Sequence, residues 1–168
     1  NETGTIQPIR EIGAIAQKRG ILFHTDAAQS AGKIPTQVEE LNVDLLSVAG
    51  HKLYAPKGAG ALYVRQGVKL EPFLRGAGQE RGLRPGTEAV HQIVGLGAAC
   101  AIAGVLLHDV ARMEGARKIR DLRDRLHEIL KKAIPGLTLN GHPELRLPNT
   151  LNVNFPGVTG ADLLEKAQ

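Results

Sequence analysis

Two short polar motifs carry side chains suited to covalent chemistry, and each follows an apolar run of the chain. His-Thr-Asp-Ala-Ala-Gln occupies positions 24–29, and Gly-His-Lys occupies positions 50–52. Because neighbouring parallel strands end at the same edge of a sheet, where α/β proteins bind their ligands, we expect the two motifs to lie together. The sequence therefore predicts a carboxylate, Asp26, and an amine, Lys52, at one sheet edge.

A lysine and a carboxylate at one edge are the groups that pyridoxal phosphate (PLP) requires. The lysine forms a Schiff base with the cofactor, and an acidic residue keeps the pyridine nitrogen protonated, so that the ring accepts electrons from the substrate Cα. Lys52 and Asp26 would fill these roles. Gln29, one turn beyond Asp26, would donate to the phenolate oxygen of the ring, and His51 with its small neighbours would hold the phosphate.

Each of these residues also has a plainer interpretation. A single lysine such as Lys52 is usually a solvated surface charge, and an aspartate after a strand, such as Asp26, is more often a helix cap than a ligand. His51 alone would be a hydrogen-bonded loop histidine. The joint occurrence of two polar clusters at two strand ends favours the cofactor site, because packing alone does not explain it.

Alternating helices and strands are predicted to position the two motifs. Pro8 and the helical spacing of apolar residues predict a helix over 8–19 that stops at Gly20. A short helical turn is predicted at 38–41. Strands buried in the sheet are predicted over three apolar runs, at 21–23, 43–48 and 60–65. This alternation predicts an α/β fold with a mostly parallel sheet and flanking helices.

The second half of the chain has a different pattern. A long helical stretch is predicted from about Glu88 to Ala133, with breaks at Gly95, Gly97, Gly104 and Gly115. Residues 150–155 alternate polar with apolar side chains, as a half-buried strand does. Residues 161–168 indicate a helix that has just begun. We therefore expect a second, α+β lobe after the α/β part.

Five motifs follow one another along the whole chain: Asn-Glu-Thr-Gly-Thr-Ile-Gln-Pro-Ile at 1–9, the two strand-end motifs, Gly-Gln-Glu-Arg-Gly-Leu-Arg-Pro-Gly-Thr-Glu at 78–88 and Arg-Leu-Pro-Asn-Thr at 146–150. In this order and with this spacing they resemble the cysteine desulfurases, which belong to the class V aminotransferase group of fold-type I PLP enzymes. The resemblance implies three regions. They are the second half of a PLP-binding large domain at 1–90, a connecting helical segment at 91–134 and the start of a small C-terminal domain at 135–168.

The resemblance implies a role for each matching residue at the strand ends. Lys52 would be the catalytic residue that binds PLP and later moves the Cα proton. Asp26 would pair with the pyridine nitrogen, Gln29 with the ring hydroxyl and His51 with the phosphate. Ala49 stands where many relatives have a phosphate-binding serine.

Two further cofactor contacts are implied outside those motifs. Asn1 would contact the cofactor or the substrate carboxylate. Thr87 would reach the phosphate of a neighbouring subunit's cofactor, which implies a homodimer, although without the resemblance Thr87 would be a turn residue before the long helix. Ser47 lies two residues before Ala49, at a different depth, and is not expected to replace the missing serine.

The implied reaction converts L-cysteine to L-alanine and leaves the sulfur as a persulfide on an enzyme thiolate. That sulfur would pass to an acceptor such as an iron–sulfur scaffold protein. A thiolate of this kind must be mobile and partly exposed. Cys100, the only cysteine, lies in a helical run of small residues, which predicts packing instead. The resemblance implies that the catalytic cysteine lies on a loop of the small domain beyond residue 168, so we expect the chain to be a central fragment.

Composition excludes several other classes of protein. No run approaches the roughly 20 apolar residues of a membrane span. The formal net charge is +4, but the lysines and arginines alternate with acidic residues along the chain, and aromatic residues make up only 3%. This pattern argues against nucleic-acid binding. The six histidines lack the spacing of a zinc site, so no metal is expected. A single cysteine and the absence of a signal segment favour a reducing cytoplasm.

Three alternatives remain open from the sequence. A selenocysteine lyase would share every site residue named above. Another class V aminotransferase or lyase without a cysteine nucleophile is the next possibility. A non-catalytic fragment or a scaffold-binding module for iron–sulfur assembly belongs to a different class, and bound PLP would distinguish it from an enzyme.

Overall fold

Helix α1 spans Ile9–Lys18 in the computed structural model, which describes residues 1–108 and 113–166. It begins directly after Pro8, as the sequence predicts. At its end the Gly20 amide donates to the Gln17 carbonyl, and the Ile21 amide donates to the Ala16 carbonyl at 3.0 Å. This is a Schellman motif, and the positive φ of Gly20, 64°, allows it.

Three strands form the first sheet. They are β1 at His24–Asp26, β2 at Leu45–Ala49 and β3 at Gly60–Val64, in the order β1-β2-β3. The short helix α2, Val38–Leu41, lies between β1 and β2 where the sequence predicts a helical turn. The α/β fold class is confirmed.

The two strand pairings run in different directions. Strands β1 and β2 are parallel, with Asp26 opposite Ser47, whereas β2 and β3 are antiparallel, with Ser47 opposite Leu62. The expectation of a mostly parallel sheet therefore holds for β1 with β2 only. Only residues 50–59 connect β2 to β3, and a parallel return needs a crossover of roughly a dozen residues or more.

Strand β1 lies three residues later than predicted. Ile21 and Leu22, expected in a buried strand, are 57% and 60% exposed. Phe23 does pair locally, since its amide donates to Asp44 Oδ2 at 2.9 Å. Within β1 only Thr25 is buried, so the strand is buried on one face and not on both.

The core of this part of the chain lies beneath β1 and β2. Its buried members are Ala27, Ala31, Val43 and Leu46. Arg65, just after β3, contacts this core, because its Nη2 donates to the carbonyl of the buried Val43 at 2.9 Å. The Arg65 guanidinium also contacts Glu39 at 2.9 Å, and this hydrogen bond raises the pKa of Arg65.

Two long helices follow. Helix α3 spans Val90–His108 and helix α4 spans Met113–Ala133. The predicted breaks are wrong, because α3 runs through Gly95, Gly97 and Gly104, and α4 runs through Gly115. A glycine costs a helix only about 1 kcal/mol relative to alanine, which neighbouring residues can offset. Helix α3 is separated from the sheet by a loop that contains a single 3₁₀ turn at Glu80–Gly82.

The chain divides into two compact units, residues 8–107 and residues 1–7 with 108–168. We call these the sheet unit and the small unit. The small unit contains β4 at Thr138–Leu139, β5 at Val153–Asn154, which pairs with β4 in antiparallel fashion, and α5 at Gly160–Lys166. Only part of the strand predicted over 150–155 forms. Helix α5 confirms the predicted helix start, and positions 167 and 168 lie outside the described residues.

Residues 1–7 belong to the small unit because they line up against residues 141–152. The Ile6 amide donates to the Leu145 carbonyl, and the Leu147 amide donates to the Gly4 carbonyl at 2.8 Å. A side chain at Gly4 would come within 2.6 Å of Thr150, so the two segments approach closely. The three predicted regions, with boundaries near residues 90 and 134, placed residues 1–7 in a different region from residues 141–152. Those boundaries stay a prediction for the domains of the intact protein.

None of the helices in residues 1–108 and 113–166 is both long enough and apolar enough to cross a membrane.

Candidate active site

The two strand-end motifs lie at the same edge of the sheet. Asp26 ends β1 and stands opposite Ser47 of the parallel strand β2. The pairing continues one residue further, where the Ala27 amide donates to the Ser47 carbonyl at 2.9 Å. Lys52 follows β2 in a single 3₁₀ turn, Gly50–Leu53. The backbone thus places Asp26 and Lys52 at the same edge of the sheet.

Asp26 is exposed, and one of its oxygens is already in use. Oδ1 accepts a hydrogen bond from the Ala28 amide at 2.8 Å, which orients the carboxylate in an Asx-type turn. Oδ2 accepts none from the part of the chain that the structure describes. The plainer interpretation of Asp26, as a local cap, therefore applies to one oxygen and leaves the other for a ligand.

Lys52 is exposed on a turn whose ends are tightly held. The Gly50 amide donates to the Ala59 carbonyl at 3.0 Å, and the Ala55 amide donates to the Gly50 carbonyl at 3.1 Å. A Cβ on Gly50 would come within 2.6 Å of Ala59 O, so only glycine fits there. His51 is exposed beside Lys52. The amine is presented to solvent from a turn with little freedom to move.

Gln29 is half-buried and shares its edge with a residue that the sequence analysis missed. Lys33 Nζ donates to Gln29 Oε1 at 3.3 Å. The pKa of Lys33 is lowered, first by partial burial and then by repulsion from the charge of Lys52. The four-residue spacing between Gln29 and Lys33 was the signal that could have pointed to this contact.

His24 and Ser47 form a second polar pair on the sheet. His24 Nε2 and Ser47 Oγ are 2.8 Å apart, across β1 and β2. This hydroxyl is therefore already engaged within the sheet, in keeping with the expectation that Ser47 does not replace a serine at position 49.

Asn1 and Thr87, the other two predicted cofactor contacts, are exposed. Asn1 lies in the small unit, where its Nδ2 donates to Glu2 Oε1 at 2.7 Å. Thr87 lies in the loop before α3, next to Gly86, whose amide donates to Gln79 Oε1 at 3.1 Å. Thr87 makes no hydrogen bond to the strand-end motifs within the described residues. The cofactor roles of Asn1 and Thr87 stay predictions.

Cys100 lies in α3 and is exposed. The interpretation of Cys100 as a packing residue is therefore wrong for the described part of the chain. The run of small residues around Cys100 led to the prediction of packing. Helix α3, however, carries apolar residues on all sides, and some of them, such as Val94 and Ile102, are exposed to solvent. Among residues 1–108 and 113–166, no group of histidine, cysteine or carboxylate side chains could hold a metal ion.

The side chains at the sheet edge fit PLP. Asp26 offers a carboxylate oxygen for a protonated ring nitrogen, and Lys52 offers an exposed amine for an aldehyde. Gln29 offers an amide, and His51 offers an imidazole for the phosphate. These groups lie on two adjacent parallel strands and the turns after them, at the edge where α/β sheets bind ligands.

Comparison with known proteins identifies relatives over almost the whole chain. The family model described as aminotransferase class V matches residues 1–167. The chain is 52% identical over 164 residues to cysteine desulfurase IscS of Methanosarcina thermophila, a match that covers 98% of this chain and 39% of the relative. It is 49% identical over 167 residues to cysteine desulfurase IscS of Ehrlichia chaffeensis, covering 98% and 40%.

Solved structures show the same likeness. A NifS-like protein superposes with a TM-score of 0.88 at 41% identity, over 98% of this chain and 44% of that protein. DndA from Streptomyces lividans superposes with a TM-score of 0.83 at 37% identity, over 99% and 46%. The chain thus spans less than half the length of the proteins it matches.

Proposed function

This chain belongs to the class V aminotransferase family, and we propose that it forms the lysine-bearing part of a PLP-dependent cysteine desulfurase. The single observation that carries the proposal is the shared sheet edge, where β1 ends in Asp26 and β2 leads into Lys52. A carboxylate and an exposed amine on neighbouring parallel strands are what this cofactor needs. The names of the relatives at about 50% identity support the choice of cysteine desulfurase within the family.

PLP, when bound, supplies an electron sink that makes the Cα proton of an amino acid acidic. Lys52 Nζ would attach the cofactor and, once released, would take and return the proton at Cα. Asp26 Oδ2 would accept a hydrogen bond from the protonated ring nitrogen, since Oδ1 is held by the Ala28 amide. An ionised carboxylate there keeps that nitrogen charged.

The remaining site residues would orient the cofactor. Gln29 would donate from its amide nitrogen to the ring oxygen, and His51 would bind the phosphate. We propose that Asn1 contacts the cofactor or the substrate carboxylate. Thr87 would reach the phosphate of a second subunit's cofactor, so we propose a homodimer. The exposure of Thr87 and of the apolar side chain of Phe73, which is 98% exposed, supports a protein contact on this loop.

The proposed substrate is L-cysteine and the proposed products are L-alanine and protein-bound sulfur. The sulfur would move to a cysteine thiolate and then to an acceptor such as an iron–sulfur scaffold protein. We propose a cytoplasmic compartment, although one relative is described as mitochondrial. The alternatives are a selenocysteine lyase, another class V enzyme, and a non-catalytic or scaffold-binding module.

The proposal is tested by trapping the cofactor. The chain is incubated with PLP, reduced with borohydride and digested, and the modified lysine is identified by mass spectrometry. We expect the label on Lys52, its loss in K52R, and no change in K69R, which removes an exposed lysine of the same unit. Label spread over surface lysines, or none at all, would contradict the proposal and favour the non-catalytic module.

A second measurement separates the enzyme alternatives. Alanine release from L-cysteine is compared with alanine release from L-selenocysteine, using the chain incubated with PLP but not reduced, and the intact protein. Alanine from L-cysteine supports the desulfurase, and alanine from L-selenocysteine alone identifies the lyase. Labelling of Lys52 without alanine from either substrate favours another class V enzyme.

A further inference from the structure

Lys33 lies beside two residues of the candidate site without belonging to either strand-end motif. Its Nζ donates to Gln29 Oε1 at 3.3 Å. Its side chain is half-buried, and the charge of Lys52 is close enough to disfavour the Lys33 ammonium. Lys33 is therefore a neighbour of the site with one defined partner, the Gln29 amide.

The backbone just before Lys33 closely approaches a side chain of the turn that carries Lys52. Gly32 has a φ of +73°, and a Cβ built on it would overlap Leu53 Cδ2. The Lys33 amide donates to the Ser30 carbonyl at 3.0 Å, which keeps this segment in a tight turn. The contact with Gln29 therefore starts from a hydrogen-bonded turn of the backbone.

The hydrogen bond decides which way the Gln29 amide faces. An ammonium group has three donors and no acceptor, so only an oxygen can face Lys33. The amide oxygen of Gln29 is thereby turned to Lys33, and its NH₂ group is turned away. A glutamine without such a partner can present either its oxygen or its nitrogen to a ligand.

We propose that Lys33 is a positioning residue that fixes the Gln29 amide so that it presents a donor, and not an acceptor, to the cofactor. This inference rests on the proposed function, since it assigns Gln29 to the ring of PLP. It predicts that the site selects a ligand with an acceptor oxygen on the ring. The selectivity comes from Lys33, although Lys33 does not touch the ligand.

The test measures selectivity between two ligands that do not form the lysine bond. Pyridoxamine phosphate carries the ring oxygen, and its 3-deoxy analogue lacks it. We expect the native chain to bind pyridoxamine phosphate more tightly than the 3-deoxy analogue. In K33M the ratio of the two dissociation constants should fall about fivefold, which corresponds to one ordinary hydrogen bond. K33R keeps a cationic donor and is expected to restore most of the preference, and K69M is the matched control that leaves it unchanged.

Two further results distinguish positioning from general damage. Q29L should lose the same preference, and K33M combined with Q29L should lose no more than Q29L alone. If K33M keeps the full preference while Q29L loses it, Lys33 does not position Gln29 and the proposal is overturned. An equal loss in K33M and K69M would also overturn it.

A measurement without any ligand separates this inference from the proposed function. Side-chain amide resonances of Gln29 report its mobility by NMR, and we expect K33M to increase that mobility while K69M does not. If K33M has no effect, the positioning role is overturned whatever the site binds. If the native chain binds neither ligand while the mobility still depends on Lys33, the cofactor role of both residues is overturned.

Discussion

In the proposed function, Asp26 would serve the fold and a ligand together. Its Oδ1 accepts the Ala28 amide and closes a local turn, so the carboxylate is oriented before any ligand binds. Preorganised groups avoid the cost of ordering a side chain on binding. A capping aspartate and a cofactor aspartate are therefore compatible roles for this residue.

Asp162 provides a residue-scale prediction about pH. It accepts hydrogen bonds from the Thr159 hydroxyl at 2.6 Å and from the Thr159 amide at 3.2 Å, and both lower its pKa below the ordinary 3.8. Because the folded pKa lies below the unfolded one, this stabilisation of α5 is complete above pH 3.8. It is lost as the pH falls through the lower, folded pKa.

An NMR titration of the Asp162 side chain tests this prediction. We expect a midpoint below pH 3.8 in the native chain and a midpoint closer to 3.8 in T159A, which removes the hydroxyl donor and keeps the backbone amide donor. The T138A variant, which removes a threonine of β4, serves as the control. A midpoint that T159A leaves unchanged would contradict the assignment.

At the scale of elements, α3 contains glycines with opposite surroundings. A Cβ on Gly95 would come within 2.7 Å of Pro56 Cδ, whereas a Cβ on Gly97 would have no atom within 4 Å. Gly95 is therefore required for the close approach of α3 to the loop after Lys52. Gly97 costs helix stability without providing a contact in the described residues.

Alanine substitutions at these two glycines should change stability in opposite directions. We expect G97A to stabilise the chain by up to about 1 kcal/mol, the difference in helix propensity. G95A should destabilise it by about 1 to 3 kcal/mol, because overpacking against Pro56 outweighs the same gain. Urea unfolding of both variants measures the difference, and equal effects would show that Pro56 yields without cost.

At the scale of the whole molecule, the small unit joins residues from both ends of the chain around two buried arginines. The side chains of Arg123 and Arg146 are 8% and 5% exposed, and both contact Asp124 Oδ1, at 2.7 and 3.2 Å. Arg123 Nη1 also donates to the Leu147 carbonyl at 2.7 Å, beside the amide that binds Gly4. Burial, and then the Arg123 charge, lower the pKa of Arg146.

Neutralising the shared carboxylate should destabilise the small unit. D124N would remove the Asp124 counter-charge from two buried guanidinium groups, and we expect the free energy of unfolding to fall by about 2 kcal/mol. This is less than for a fully buried pair, because Asp124 is 47% exposed. D121N, an exposed aspartate on the same helix, is the control and should cost less than about 0.5 kcal/mol. Hydrogen exchange at the Ile6 and Leu147 amides measures the effect, and equal protection in both variants would contradict it.

Local signals in the sequence were enough to predict α1, α2 and the sheet edge at which Asp26 and Lys52 lie. Pro8 precedes α1 because its fixed φ angle suits a helix start, and Gly20 follows α1 because glycine can adopt the positive φ angle that ends it. Both effects act within one turn of the helix. The placement of Asp26 and Lys52 at one sheet edge followed from a general property of parallel strands, and the family motifs identified the family. These inferences depend on hydrogen bonds and periodicity within a few residues.

The tertiary structure alone decided features that depend on distant contacts. The antiparallel direction of β3, the shift of β1, the exposure of Cys100 and the union of residues 1–7 with 141–152 were not visible in local patterns. The Gly32 backbone also lies close to the Leu53 side chain, a contact between residues far apart in the sequence. Contacts of this kind depend on how the elements pack against one another. The local periodicity of the sequence does not predict them.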